Sequence, residues 1–548
     1  MLRSRDAAGS QVTGGESRVP RPGPRPGRPA AADRDPRRTP VRTGRDGHHG
    51  RGPQDDRRHG RRGLARALLL TALGGLLPGT AFLAAGRRRL GLAVLTATLL
   101  LLGVGGVLLA GRDTADALRL AVDPAALGWV VAGVVVLVLA WVVVVAGGWR
   151  ALRPDGLPAR QRAVGAGLVV LLCAGAAVPA ALVLRSVSAQ RELIGTVFSD
   201  DRESATVVEP VDPVDPFGDD ERVNVLLLGG DGGEGRVGVR TDTVIVASIA
   251  TETGETTLFS LPRNLQDLPF PADSPLAEVW PDGFDAGSES ASLLNKVYRN
   301  GPRIAGEVLG PTDDPGADML KLGVGEALGL RIDYYVLVNM AGFTRLVDAL
   351  GGITVDVNYY VPINGIVGEQ LPDDHIEPGP DQHMDGWTAL HFARGRYGMS
   401  DYDRMARQRC AIQALVDAAD PVTLLVEWQE LAATAGDIVR TDIPRSVLDD
   451  FLELALLVQD VDIDSVVLDP ELIDPAYPDY DRIRAMVDEA LAPAPPAPPV
   501  PPQAGGAPAP TVDVETGPAG DVEDACAYDP ERAEAALAAG EPPTRGSG

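Results

Sequence analysis

The stretch HFARGRYGMSDYDRMARQRC, residues 391–410, places Arg394, Arg396, Arg404, Arg407 and Arg409 close together, with Asp401 and Asp403 among them. Guanidinium groups gathered this way neutralise phosphoryl oxygens through charge-assisted hydrogen bonds. On helical spacing Arg404, Arg407 and Gln408 share a face, while Arg394 and Arg396 close the preceding helix. Arg240 and Arg263 fall at strand ends upstream. Asp231 ends a first strand and Asp242 begins a second. Carboxylates so placed suit a hard cation such as Mg²⁺, which keeps water and takes phosphate oxygens. Plainer roles stay open: aspartates also make turns, and the arginines can pair with Asp401 and Asp403 on a solvated face. Lys296 and Lys321 are the only lysines. The choice of Arg over Lys therefore says little, and the clustering says more.

Other chemistries fit poorly. GEGRVG (233–238) matches a dinucleotide fingerprint, but that motif must open a helix, and the following VRTDTVIVASIA reads as a strand. No G-K-[ST] phosphate loop and no zinc-type cysteine spacing is present. His383 and His391 stand alone and suit surface or structural roles.

The elements that must carry these residues divide by charge. Residues 1–185 hold 27 basic and 11 acidic side chains, and residues 186–548 hold 23 and 65, within a formal net charge of −26. The two parts meet different surroundings. Residues 1–62 are rich in Arg, Pro and Gly and read as a disordered basic cytoplasmic tail. Within 63–186, four hydrophobic segments follow, about 64–86, 90–110, 128–148 and 165–184. The last three match the roughly 20 residues needed to cross a bilayer. Basic flanks at 87–89 and 149–162 and an acidic loop at 111–127 predict that everything after Arg185 is extracytoplasmic. The first segment contains Pro78 and neighbouring glycines, which suits a re-entrant hairpin better than a span.

Residues 187–220 read as an extended acidic linker. From 221 to 491, strands such as RVNVLLLGGD, DTVIVASIA, YYVLVNM and ITVDVNYYV alternate with helices, predicting an α/β layered sheet. Residues 492–548 form a Pro/Ala-rich flexible tail. Cys410 and Cys526 are the two exported cysteines, and whether they pair is open.

The motifs NVLLLGGD, RTDTVIVASI, LFSLPRN, LLNKVY, GFTRLVDALGGITVDV and HFARGRYGMSDYDRMARQ, in this order and spacing, resemble the LytR-CpsA-Psr family of its actinobacterial type. The resemblance covers about 224–415. It implies a three-layer α/β/α sandwich with a mixed central sheet and an apolar tunnel, preceded by N-terminal transmembrane helices. It further implies a multi-pass cell-membrane phosphotransferase that moves a glycopolymer from a polyprenyl-pyrophosphate carrier to peptidoglycan, with Mg²⁺ or Mn²⁺ and no nucleic-acid partner. By motif, Asp231 and Asp242 match the metal-associated aspartates. Arg240, Arg263, Arg394, Arg396, Arg404 and Gln408 match pyrophosphate-binding positions, and Asp401 their acidic partner. Asn264 stands where an aspartate commonly follows the Pro-Arg pair, and the loop 264–293 is long. A non-catalytic carrier of lipid-linked polymer, or a pyrophosphatase, would use the same residues.

Overall fold

The computed structural model describes residues 53–111, 119–120, 123–198, 200, 202–207, 216–218, 220–232, 239–419, 439–459, 461–470, 472–492, 520–521, 525–540 and 542. The chain divides into compact units Met1–Arg61 and Arg62–Gly548, and the central sheet belongs to the second. The 233–238 motif and most of the basic tail lie outside the described residues.

The apolar segments are helical. α1 (Pro53–Leu76) starts inside the expected disordered tail, where Pro53 and the acidic pair after it suit a helix N-terminus. It stops before Pro78 and Gly79, and the short α2 (Thr80–Ala84) follows. Gly79 has φ 102°, and a Cβ there would lie 2.5 Å from Gly91 O, so only glycine fits the break. α3 (Arg88–Ala110), α4 (Pro124–Leu152) and α5 (Ala159–Val197) follow. Three of the described helices are long and apolar enough to cross a membrane.

α5 corrects the expected linker. Its 39 residues rise roughly 58 Å at 1.5 Å each, well beyond a bilayer core. Its end buries Ile194 and Val197 completely or nearly so. The chain after it does not hang free. Asp318 accepts from Ser204 Oγ (2.7 Å), Ala205 N (2.9 Å) and Thr206 Oγ1 (2.6 Å). A buried carboxylate needs such donors, and the connector supplies them.

The sheet forms from β1 (Arg222–Gly230), β2 (Thr241–Ala250), β3 (Thr256–Ser260), β4 (Tyr334–Asn339), β9 (Val439–Thr441), β10 (Ile463–Val467) and β11 (Gly520–Asp521). Their order is β11-β10-β3-β2-β1-β4-β9. β1 runs antiparallel to β2 and parallel to β4, so the sheet is mixed. The apolar runs of β1 and β2 are buried on both faces, as unbroken hydrophobic strands require. Helices α6 (Leu294–Ala305) and α7 (Pro315–Leu328) lie between β3 and β4 in sequence, and α8 (Met340–Ala349) follows β4. Leu226, Val246, Phe259, Leu320 and Val487 form the core on one face. On the other face Ile245, Ala247 and Leu258 meet Ile412 and Val416.

A smaller body sits beside the sheet. It holds two ribbons, β5 (Ile353–Val357) with β8 (Gly379–Met384), and β6 (Val361–Ile363) with β7 (Asp374–Ile376). α9 (Gly386–Arg394) and α10 (Asp401–Ala418) pack on them. α11 (Leu448–Val458) and α12 (Tyr480–Ala490) complete the domain.

The tail is a second correction. β11 lengthens the sheet by pairing with β10. Cys526 is bonded to Cys410 on α10. α13 (Pro530–Ala539) sets Arg532 over the Tyr359 ring at 4.5 Å. An unpaired edge strand and a disulfide partner give the tail places to dock. Residues 493–519 lie outside the described residues.

Candidate active site

The site gathers where β1 and β2 end. Asp231 and Arg240 pair with each other: Arg240 N donates to Oδ1 (2.8 Å), and Nε (2.7 Å) and Nη2 (2.5 Å) to Oδ2. Those bonds raise the Arg240 pKa above its ordinary value. Asp242, one residue into β2, accepts from Arg263 Nη1 (2.9 Å) and Asn295 Nδ2 (2.8 Å), both on Oδ1. Burial pushes the Asp242 pKa up, but the bonds from Asn295 and Arg263 and the field of Arg404 outweigh it and hold it below the usual range. The element that follows the 233–238 motif is strand β2, whereas a dinucleotide fingerprint needs a helix there.

Asp401 opens α10. Its Oδ2 accepts from Arg404 Nη2 (3.0 Å), and its Oδ1 lies 3.2 Å from Arg263 Nε and 3.5 Å from Arg396 Nη1. One carboxylate thus orients three guanidinium groups. The Oδ1 contacts are ionic and fall short of hydrogen-bond geometry, leaving that buried atom without a hydrogen bond. Arg404 is 4% exposed. Burial lowers its pKa, though its ordinary value is so high that it stays charged. Gln408 Nε2 donates to Thr243 Oγ1 (2.8 Å), tying α10 to β2.

Asp403 does something else. Its Oδ2 accepts from Ser400 N (3.0 Å) while Ser400 Oγ accepts from Asp403 N (3.1 Å), a capping box that starts α10. Arg407 also departs from the expected shared face. It is buried and donates to Phe392 O (2.7 Å), Tyr359 Oη (3.0 Å) and Gly395 O. It satisfies the carbonyls ending α9 and so fixes the loop that presents Arg394 and Arg396. Arg409 reaches Ser465 Oγ on β10. His391 is buried against Trp387 and His383 lies exposed on β8. Neither histidine, nor Asn264, is among the residues of the site.

Below this cluster opens a cavity of about 960 Å³. Asp231, Arg240, Asp242, Arg263, Arg394, Arg396, Arg404 and Gln408 all line it. Deeper, its walls are Ile245, Val338, Phe343, Leu346, Ile412 and Val416. Sheet, α8 and α10 form an apolar chamber with a charged mouth. Asn295 is the residue that the sequence did not single out by role. It lies in the LLNKVY motif, where the long loop returns to the strand ends.

Among the described residues no group of three or more potential metal ligands occurs, so a hard cation at Asp231 and Asp242 would have to complete its shell with water and phosphate oxygens. Both donors to Asp242 engage Oδ1, so Oδ2 keeps lone pairs among the described residues. Two carboxylates with water and phosphate oxygens satisfy Mg²⁺.

A family model described as the LytR_cpsA_psr family matches residues 193–471. The chain belongs to that family. It is 31% identical over 241 residues to the polyisoprenyl-teichoic acid–peptidoglycan teichoic acid transferase TagU of Enterococcus faecalis, covering 43% of this chain and 65% of that one. It is 33% identical over 208 residues to the probable cell wall biosynthesis protein LcpB of Corynebacterium glutamicum, covering 38% and 40%. The chain therefore spans under two thirds of either relative. The LytR-Csp2A-Psr enzyme from Actinomyces oris superposes with a TM-score of 0.33 at 18% identity, covering 49% of this chain and 89% of that one.

Proposed function

We propose that the protein is a membrane-anchored phosphotransferase that moves a glycopolymer from a polyprenyl-pyrophosphate carrier to a peptidoglycan hydroxyl, with its catalytic domain extracytoplasmic. One observation carries the reading: five arginines and three aspartates gather at the mouth of an apolar cavity of about 960 Å³. An apolar chamber accepts a prenyl tail, and the mouth accepts the pyrophosphate. We read the cores on both faces of the sheet as a three-layer α/β/α sandwich, which gives the chamber rigid walls.

In this reading Arg240, Arg263, Arg394, Arg396 and Arg404 bind the pyrophosphate oxygens. Asp401 aims Arg263, Arg396 and Arg404, and Gln408 holds α10 against β2. The acceptor hydroxyl oxygen forms a bond to the sugar-linked phosphorus and gives up its proton to solvent, and the bond from that phosphorus to the bridging oxygen breaks. Polyprenyl phosphate departs. Charge on the departing and non-bridging oxygens meets preoriented guanidinium groups, which is where most of the rate gain in phosphoryl transfer arises. Asp231 and Asp242 would hold Mg²⁺ or Mn²⁺, which supplies further neutralisation of phosphoryl oxygens. α3, α4 and α5 keep the mouth near a donor whose tail stays in the bilayer.

The test uses the full-length protein in nanodiscs with a polyprenyl-pyrophosphate-linked saccharide, peptidoglycan and Mg²⁺. Saccharide covalently attached to peptidoglycan through a phosphodiester is the expected product. Release of free saccharide phosphate to water, or donor binding without turnover, overturns it.

A further inference from the structure

The loop 264–293 leaves the site after Arg263 and returns at Asn295. Its feet are closed by Leu294 N donating to Leu265 O (2.9 Å) and Asn295 N to Arg263 O (3.0 Å). Both donors to Asp242 Oδ1 thus stand on the feet of this one loop. Away from its feet the loop wraps Phe270, Trp280 and Phe284, with Trp280 centroids 5.6 and 5.0 Å from the other two. Trp280 Nε1 donates to Asp285 O (2.7 Å). Asp267 has φ 50° and Gly283 φ 97°. A Cβ on Gly283 would lie 2.4 Å from Asp267 O, so the two arms of the loop meet at a distance only glycine permits.

A second segment closes over the loop. Gln266 N donates to Pro475 O (3.0 Å), and Tyr480 Oη donates to Gln266 O (2.6 Å). Between the two segments lies a hollow of about 470 Å³, lined by Asp267, Phe270, Trp280, Asp282, Tyr477 and Tyr480 together with prolines. Tyr477 stands on it with 83% of its surface exposed, the most exposed large apolar side chain among the described residues. None of these residues lines the large cavity.

The chemistry of the lining selects its occupant. Among the described residues, the charged side chains that line the hollow are Asp267 and Asp282, with no Lys or Arg. A phosphate-rich polymer would be repelled there, and a prenyl tail would have to desolvate both carboxylates. A saccharide fits both features. Its C–H face stacks on the electron-rich face of an aromatic ring, and its hydroxyls donate to carboxylate oxygens. An aromatic hollow with a few fixed polar groups is the usual make-up of a small-ligand site.

We propose that the hollow formed by loop 264–293 and segment 474–480 is a binding subsite for an uncharged, hydroxyl-rich saccharide, placed to hold the acceptor glycan while the arginine mouth holds the polyanionic donor. The acceptor assignment rests on the transferase function proposed for the mouth, and saccharide binding does not. An acidic hollow and a basic mouth on one loop sort the two polymers by charge. Contact at the hollow also bears on the feet of the loop, where Arg263 and Asn295 grip Asp242.

Full-length protein in nanodiscs is titrated with the β-1,4-linked tetramer of N-acetylglucosamine, followed by saturation-transfer NMR and calorimetry. Saturable binding is expected, with transfer to the sugar C–H protons. Tyr477→Ala should weaken it about tenfold or more, the size of a lost aromatic anchor. Tyr477→Phe should keep most of it, and Arg394→Ala should bind the tetramer as the unchanged protein does. Poly(glycerol phosphate) should not displace the sugar. No binding, binding indifferent to Tyr477→Ala, or displacement by the polyanion overturns the subsite. Sugar binding without transfer overturns the transferase reading alone. Transfer with an acceptor KM indifferent to Tyr477→Ala overturns the acceptor role alone.

Discussion

Two regions of the domain hold buried charge, and they treat it in opposite ways. At the connector face Lys321 and Asp442 have side chains 1% and 6% exposed and meet at 2.6 Å. Lys321 Nζ also donates to Asp333 O (2.8 Å), and Asp442 Oδ1 accepts from Tyr335 N (2.7 Å). Asp318 nearby is surrounded by neutral donors. Charge there is matched group for group. At the cavity mouth four guanidinium groups share three carboxylates, and Arg404 leaves a buried Nε without a hydrogen bond among the described residues. Saturated charge fixes the fold, whereas the unsaturated charge at the mouth is what the proposed ligand would meet.

The strongest way to break this contrast is Lys321→Met. It leaves Asp442 buried without its cation, which typically costs about 3–5 kcal/mol. Thermal melting should show that loss, and the double variant Lys321→Met/Asp442→Asn should recover much of it. At the mouth the expectation reverses. Arg394→Ala should lower transfer about 10²–10³-fold, roughly 3–4 kcal/mol in the transition state, while exposed charges contribute at most about 1 kcal/mol to stability. Melting temperature and turnover measured on the same preparation separate the two regions. A destabilised but active Arg394→Ala would erase the distinction.

Smaller effects sharpen it. Ser400→Ala removes the capping box of α10 and should cost about 1 kcal/mol of stability. Because Asp401 opens the same helix, turnover should fall as well, and denaturant melts beside kinetics would show both. The least effect concerns pH. Asp242 titrates below its ordinary value of 3.8. With its folded pKa depressed, its contribution is present above the unfolded value and is lost as pH falls from about 4 through the folded pKa. Melting curves of the parent should therefore drop more steeply in acid than those of Asp242→Asn, and parallel curves would contradict the pairing with Arg263 and Asn295.

The sequence by itself determined much of this protein. Unbroken apolar runs made β1, β2 and β4 buried strands, and long uncharged segments made α3, α4 and α5. Pro78 and Gly79 ended α1. The arginine cluster was legible as a cluster, while its use stayed open between a polyanion and pairing with Asp401 and Asp403. Other features were decided only in three dimensions. Arg404 and Arg407 lie one turn apart on α10 with identical side chains, yet Arg404 faces the cavity and Arg407 the end of α9. Spacing places both on one helix face, but which partner covers each depends on what packs there. Asp401 and Asp403 divide in the same way between guanidinium pairing and capping. The acidic linker docked because Asp318, with Thr312 as a local donor, takes three more from Ser204, Ala205 and Thr206. The tail docked because β10 offered an edge and Cys410 a thiol. Local patterns are set by a chain's own periodicity, whereas the partner of a buried polar group is set by whichever distant segment the fold brings to it.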